Sequence, residues 1–167
     1  MIAPRRARRP KNPLSLHDRA LRLLAVRQRS RRELERRLLA AGFERVEVGE
    51  ELDRLEAVGL VDDERFALEF AEHAATRRLS GRRAVTSSLG AKGVARDVID
   101  RALGEVGGDE EARAADLART RAPRLMGLPP ETAFRRLFSF LVRRGYDSAL
   151  ARRAATDALR LQAESGE

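Results

Sequence analysis

Glycines that recur at a nearly constant spacing constrain the fold of this chain more than any other feature. Gly42, Gly93 and Gly145 are separated by 51 and 52 residues. Leucine or valine occupies the positions eight and four residues before each glycine; these residues are Leu34, Leu38, Val85, Leu89, Leu137 and Leu141. A fixed period of this kind is typical of repeated supersecondary units. The sequence therefore predicts three copies of one unit of about fifty residues.

The surroundings of each glycine predict the end of a helix. Glycine adopts a positive φ without a Cβ clash, so it commonly follows a helix in a Schellman motif. In that motif the residue after the glycine packs against the helix residue four positions before the glycine. The residues that follow the three glycines are apolar: Phe43, Val94 and Tyr146. We therefore expect Gly42, Gly93 and Gly145 to cap three helices that end at equivalent positions.

Polar residues predict where helices begin. Ser30 and Glu33 have the spacing of a capping box, and Asp62 begins an acidic run that suits a helix N-terminus. Further apolar-periodic stretches lie on both sides of each glycine-ended helix. The predicted fold class is all-α, with three tandem three-helix repeats that form an elongated, curved array. We expect the repeats at residues 14–61, 62–106 and 107–162, followed by a C-terminal tail at residues 163–167.

Composition limits the class of protein. The chain has no cysteine, which excludes disulfide frameworks and thiolate metal sites. Residues 1–13 contain five basic residues and three prolines, which predicts a disordered basic N-terminal arm. No apolar run approaches the roughly 18 residues that span a bilayer, and none resembles a signal peptide. We expect a cytoplasmic monomer that does not bind membranes.

Basic charge follows the glycine-ended helix of each repeat. Basic residues outnumber acidic ones by 34 to 26, for a formal net charge of +8. Residues 44–72 and 102–118 are acidic, so basic and acidic blocks alternate. In register, the basic side chains would form a stripe that suits phosphate or an acidic protein groove. The candidate binding residues are Arg29, Arg31, Arg32, Arg77, Arg78, Arg82, Arg83, Lys92, Arg135, Arg136, Arg143 and Arg144.

Motifs for catalysis are missing from the sequence. His17 and His73 are the only histidines, and each is isolated from other residues at metal-ligand spacing. The chain has no phosphate-binding P-loop, no nucleophile-elbow motif and no dinucleotide-binding glycine motif. The residues therefore predict no catalytic, metal or cofactor site.

Two segments, taken with their order and separation, resemble the RecX family. They are Gly59-Leu-Val-Asp-Asp-Glu-Arg-Phe-Ala67 and, further along the chain, Arg77, Gly81, Leu89 and Lys92-Gly93-Val94. The resemblance extends upstream through Arg29-Ser30, Glu33-Leu34, Leu38 and Gly42. It covers about residues 14–106, and the third repeat matches more loosely.

This resemblance implies a regulatory protein of DNA repair and recombination. RecX proteins are elongated helical-repeat proteins that bind in the groove of the RecA filament on single-stranded DNA. There they inhibit RecA ATPase, strand exchange and coprotease activity, so the implied partners are the RecA filament and single-stranded DNA, with at most weak duplex binding. The alternative is a direct DNA-binding protein of the helix-turn-helix type, because tri-helical units with basic helices also occur in that class.

Overall fold

The computed structural model describes residues 14–76 and 80–165 of the chain, with side chains as far as residue 162. Within these ranges the chain forms α-helices and one 3-10 turn, without a strand. The helices are α1 (Leu16–Val26), α2 (Arg31–Ala40), α3 (Arg45–Ala57), α4 (Asp63–Thr76), α5 (Arg82–Ala91), α6 (Arg96–Glu105), α7 (Glu110–Arg121), α8 (Pro130–Arg143) and α9 (Ser148–Ser165). The predicted all-α fold is confirmed. The basic arm, Arg77, Arg78 and the end of the tail lie outside the described residues.

Each run of three helices has its own hydrophobic core. In the first repeat, Ala20 of α1, Leu34 of α2 and Leu52 of α3 lie in one buried cluster. The buried side chains of the second cluster lie between Phe66 and Leu103 in the chain. Those of the third lie between Ala114 and Ala158. Because each cluster draws its residues from one repeat, the protein is a tandem array of small cores.

The middle helices α2, α5 and α8 end in the same way. Gly42, Gly93 and Gly145 have φ values of 97°, 82° and 90°. The N–H of the next residue then donates to a carbonyl five residues back, from Phe43 to Leu38 at 3.4 Å, from Val94 to Leu89 at 3.1 Å and from Tyr146 to Leu141 at 3.2 Å. These are the bonds of a Schellman motif. The glycine period therefore marks a repeated helix end.

The third repeat differs from the other two in the segment between its first and middle helices. A 3-10 turn (Ala122–Leu125) follows α7 directly and contains Pro123. The middle helix α8 then begins at Pro130, where the missing N–H of proline costs no hydrogen bond. As a result α8 has 14 residues, against 10 in α2 and 10 in α5. The turn brings the end of α7 beside the longer α8.

Candidate binding surface

The N-terminal end of a middle helix meets the C-terminal end of the next one at two junctions. At the first junction, between α2 and α5, the Ser30 hydroxyl donates to the carbonyl of Lys92 at 2.5 Å. At the second, between α5 and α8, the Gly81 N–H donates to the carbonyl of Arg144 at 2.9 Å. Ser30 and Gly81 each precede a middle helix, and Lys92 and Arg144 each end one. The same pairing therefore occurs twice.

A carboxylate completes each junction. Asp63, the first residue of α4, accepts a hydrogen bond from the Arg31 N–H at 2.8 Å. Glu110, the first residue of α7, accepts one from the Arg82 N–H at 2.8 Å. These acceptors satisfy N–H groups that a helix N-terminus leaves unpaired. Asp62 instead caps α4 itself. The junctions place the basic residues of α2, α5 and α8 one after another along the array.

Arg29 lies inside the first repeat and is only 5% exposed. Its guanidinium donates to Glu33 Oε1 at 2.7 Å and to the carbonyl of Leu23 at 3.1 Å. Glu33 is also buried, pairs with Arg27 and lies 3.8 Å from Lys92 Nζ. Burial acts to raise the pKa of Glu33, but these cations outweigh it and the pKa is lowered. Arg29 is a structural residue, so we leave it out of the proposed binding surface.

Arg31 and Arg32 lie at the first junction. The Arg31 guanidinium pairs with Asp53 at 2.7 Å and with Glu56, both on α3. The Arg32 side chain is exposed, yet its carbons cover Gly93 so closely that a Cβ there would overlap them. Both arginines therefore have contacts within the protein besides any that they make with a partner.

Predicted binding residues of the second repeat also have internal partners. Arg82 donates to the carbonyl of Leu103 at 3.0 Å, and Arg83 pairs with Asp147 at 2.6 Å across the second junction. Lys92, near Glu33 at the first junction, also lies 6.0 Å from the centre of the Phe70 ring. Each of these cations therefore has a partner within the chain, and for Arg83 and Lys92 that partner is a carboxylate.

The third repeat brings its predicted arginines together in a groove. Arg135, Arg136 and Arg143 are exposed on one face of α8. Arg121, at the end of α7, and Arg124, in the 3-10 turn, face them across a groove of about 530 Å³. We call this feature the arginine groove. None of the residues that line it is acidic.

Phe140 lies in the arginine groove and contacts two cations. The guanidinium carbon of Arg121 is 5.3 Å from the centre of its ring, and that of Arg144 is 5.2 Å away. Guanidinium groups at this distance from an aromatic face are held by cation–π attraction. Arg144 therefore borders the groove through Phe140.

The described residues offer little that would support chemistry. No group of three or more histidine, cysteine or acidic residues among them could hold a metal ion. The ring of His17 is hydrogen-bonded to the buried carboxylate of Glu51 at 2.7 Å. In the described helices none is both long and apolar enough to cross a membrane.

Sequence comparisons match all three repeats to one family. The family models for the first, second and third three-helix domains of RecX match residues 17–55, 62–103 and 109–155. This chain belongs to the RecX family. The regulatory protein RecX of Mycobacterium bovis is 40% identical over 136 residues, which cover 78% of each chain. That of Mycobacterium ulcerans is 42% identical over 134 residues, or 78% of this chain and 77% of the relative.

Solved structures of RecX share the fold. RecX from Lactobacillus salivarius superposes with a TM-score of 0.73 at 17% identity, covering 86% of this chain and 94% of that one. A second solved regulatory protein RecX gives a TM-score of 0.71 at 22% identity, covering 85% and 70%. The sequence relatives are named regulatory proteins. The family placement thus supports a RecX-type regulator.

Sequence reasoning did not find every residue that lines the arginine groove. It missed Arg121 and Arg124, because their position beside α8 depends on the 3-10 turn that follows α7. A weaker signal was present in α8, where Arg136, Phe140 and Arg143 are spaced to share one face of a helix. Sequence reasoning also assigned Asp63 to its own helix end, whereas the structure uses it to join two repeats.

Proposed function

We propose that this chain binds the RecA filament on single-stranded DNA and inhibits RecA ATPase, strand exchange and coprotease activity. The observation that carries the proposal is the family match over all three repeats, together with relatives named regulatory protein RecX that align over most of both chains. The chain acts in the cytoplasm as a monomer, without a cofactor. Its effect comes from binding and not from chemistry of its own.

Recurrent junctions make the array suitable for a repetitive partner. A filament presents the same surface on each protomer, and a chain with basic residues along successive repeats can contact it at several points. Linked contacts bind more tightly than any one alone, because the later contacts are intramolecular. Binding inhibits if it favours a filament state that does not hydrolyse ATP or extend, since a ligand shifts an equilibrium by its differential affinity.

The proposed contacts are the basic residues of the middle helices and the segment before α5. Arg29 is excluded because it is buried and paired. The remaining residues are Arg31, Arg32, Arg77, Arg78, Arg82, Arg83, Lys92, Arg135, Arg136, Arg143 and Arg144. Of these, Arg77 and Arg78 lie outside the described residues.

ATP hydrolysis by RecA tests the proposal directly. The protein is added in increasing amounts to RecA that has been assembled on single-stranded DNA, and the release of phosphate is followed. We expect the rate to fall with increasing amounts of the chain. A rate that stays unchanged at every ratio would defeat the proposal.

Binding to naked duplex DNA distinguishes the helix-turn-helix alternative. That alternative requires tight duplex binding that weakens steeply with salt, because phosphate contacts release counterions. It also requires sequence preference. We expect duplex binding only at protein concentrations well above those that inhibit the filament. The acidic blocks at residues 44–72 and 102–118 interrupt a continuous DNA footprint and favour this outcome.

A further inference from the structure

The arginine groove is formed by two separate elements of the third repeat, the end of α7 with the 3-10 turn and the helix α8. Arg135 and Arg136 lie in one turn of α8, and Arg143 lies about two turns further along the same helix. Arg121 and Arg124 come from the end of α7 and the 3-10 turn, and the cavity between the two sets has a volume of about 530 Å³. Guanidinium groups therefore line both sides of one groove.

Several arginines elsewhere in the described chain pair with its own carboxylates. Examples are Arg31 with Asp53, Arg83 with Asp147 and Arg101 with Glu64. In the part of the chain that the structure describes, the five arginines of the groove form no ion pair with a carboxylate. Like charges in one groove repel each other, so the arrangement favours an anion from outside the chain.

We propose that the arginine groove binds the phosphodiester backbone of single-stranded nucleic acid, which deepens the proposed function and rests on it. The planar fork of arginine matches phosphate oxygens in a bidentate geometry. A positively charged groove of this kind tracks the backbone of a single strand, with groups on both sides in reach of its phosphates. The ligand is a chain of phosphates, because guanidinium groups from two separate elements line the cavity.

The lining of the groove favours nucleic acid over an acidic protein surface. Protein interfaces place their affinity in an apolar, desolvated core. Here the apolar residues offer little free surface, because Leu125 is 9% exposed and Phe140 is covered by Arg121 and Arg144. The aromatic ring instead holds guanidinium planes in place, which lowers the entropy that ordering them costs on binding. The groove thus presents cations without a hydrophobic centre, and one of them, Arg121, is held in place by the ring.

Binding to a fluorescently labelled oligothymidylate, without RecA, tests this proposal by anisotropy at several salt concentrations. The variant Arg135→Gln with Arg136→Gln removes two groove cations. The matched control Arg22→Gln with Arg160→Gln removes the same charge from exposed residues of α1 and α9. We expect the groove variant to bind about tenfold more weakly than wild type. The slope of log affinity against log salt concentration should become shallower by about 1.4, which is about 0.7 for each of two lost phosphate contacts. The control should stay within about twofold of wild type.

A charge-conserving variant separates geometry from charge. Arg135→Lys with Arg136→Lys keeps both cations but loses the bidentate fork, so its affinity should lie between those of wild type and the glutamine variant. Circular dichroism should give the same helical content for every variant, because the replaced side chains are exposed.

Several results would overturn the proposal while leaving the proposed function intact. They are wild-type protein that inhibits RecA without binding the oligonucleotide, equal losses in the groove variant and its control, or a groove variant that binds DNA normally but no longer binds the filament. The last result would assign the groove to a protein surface. Failure of the wild-type chain to affect RecA at all would instead defeat the proposed function, whatever the oligonucleotide result.

Discussion

The two junctions between repeats share a geometry but are held by different parts of the chain. At the first, a buried serine side chain bonds to the end of α5, and Gly93 is covered by the flexible carbons of Arg32. At the second, the backbone of Gly81 takes the place of the serine side chain, and the Arg83 N–H donates to the carbonyl of Gly145 at 3.2 Å. The first junction therefore depends on side chains and the second on close backbone contact.

Of the two junctions, only the first holds a buried carboxylate. Glu33 is 3% exposed and links Arg27, Arg29 and Lys92. The ion pair that spans the second junction, between Arg83 and Asp147, is exposed to solvent. Equivalent positions in the two junctions can thus be held by different interactions, provided that the groups at the end of each middle helix have hydrogen-bond partners. Substitutions at equivalent positions should therefore have unequal effects.

Alanine at the three repeated glycines should have the largest effect at the second junction. Gly145→Ala forces a positive φ on alanine, and its Cβ would overlap Ala84, including the backbone N. We expect a loss of about 4 kcal/mol in the free energy of unfolding, from left-handed strain and overpacking together. Gly42→Ala is the matched control, because its Cβ would meet nothing, and should cost about 1 to 2 kcal/mol. Urea unfolding measures both.

Gly93→Ala should fall between these two variants. Its Cβ would overlap the Arg32 side chain, which can move aside at less cost than a backbone atom. Equal losses for all three variants would show that backbone approach does not distinguish the junctions, and that left-handed strain alone sets the cost.

Glu33→Gln should disrupt the first junction through its charge. The substitution leaves Arg29 buried without a compensating carboxylate, and breaking a buried ion pair on one side costs about 3 kcal/mol. Glu35→Gln is the control, since Glu35 lies 3.5 Å from the exposed Arg45, and surface pairs contribute about 1 kcal/mol or less. Similar losses in both variants would mean that the buried cluster does not hold the junction.

Acid titration gives the sign of the Glu33 contribution. The folded state lowers the pKa of Glu33 below its ordinary value of 4.5. A carboxyl group of this kind adds stability above the unfolded pKa, and the addition is lost as the pH falls through the folded pKa. The difference in the free energy of unfolding between wild type and Glu33→Gln should therefore be largest at neutral pH and become smaller in acid. Unfolding midpoints measured from neutral pH down to pH 3 test this.

Much of the fold could be predicted from sequence because its signals are local. The glycine, the apolar residue after it and the leucine four residues before it all act within one helix end, and this pattern recurs three times. Family resemblance likewise rested on short segments, the stretch from Gly59 to Ala67 and Lys92-Gly93-Val94 among them. The interior of each repeat also follows from apolar periodicity, as Leu34 and Leu38 of the first core illustrate.

The binding surface was harder to predict because it depends on contacts between distant segments. A count of basic residues treats Arg29 and Arg135 alike, yet one is buried against Glu33 and the other lines the arginine groove. Whether an arginine is neutralised depends on which carboxylate the fold brings to it. For Arg83 that carboxylate is Asp147, in the next repeat, and no local pattern connects them.

Substitution of Asp63 should change stability least of the substitutions considered. It separates the role of Asp63 from that of Glu33 at the first junction. Burial raises the pKa of Asp63 from 3.8, and the hydrogen bond from the Arg31 N–H only partly offsets this. An acid with a raised pKa binds its proton more tightly in the folded state, so its ionisation lowers stability as the pH rises above 3.8. Asp63→Asn removes the charge and keeps an oxygen acceptor. At neutral pH it should match wild type or exceed its stability by less than about 1 kcal/mol.

Asp63→Ala is the matched control for that prediction, because it removes the acceptor as well as the charge. It leaves the Arg31 N–H without its partner and should cost about 1 kcal/mol at every pH, as the loss of a helix cap does. Thermal unfolding at neutral and acidic pH compares the two variants. If Asp63→Asn were as unstable as Asp63→Ala, the charge of Asp63 would be what holds α2. The expected order instead assigns different roles to the buried Glu33 and the half-buried Asp63: the first junction is held by the charge of Glu33 and by the oxygen of Asp63.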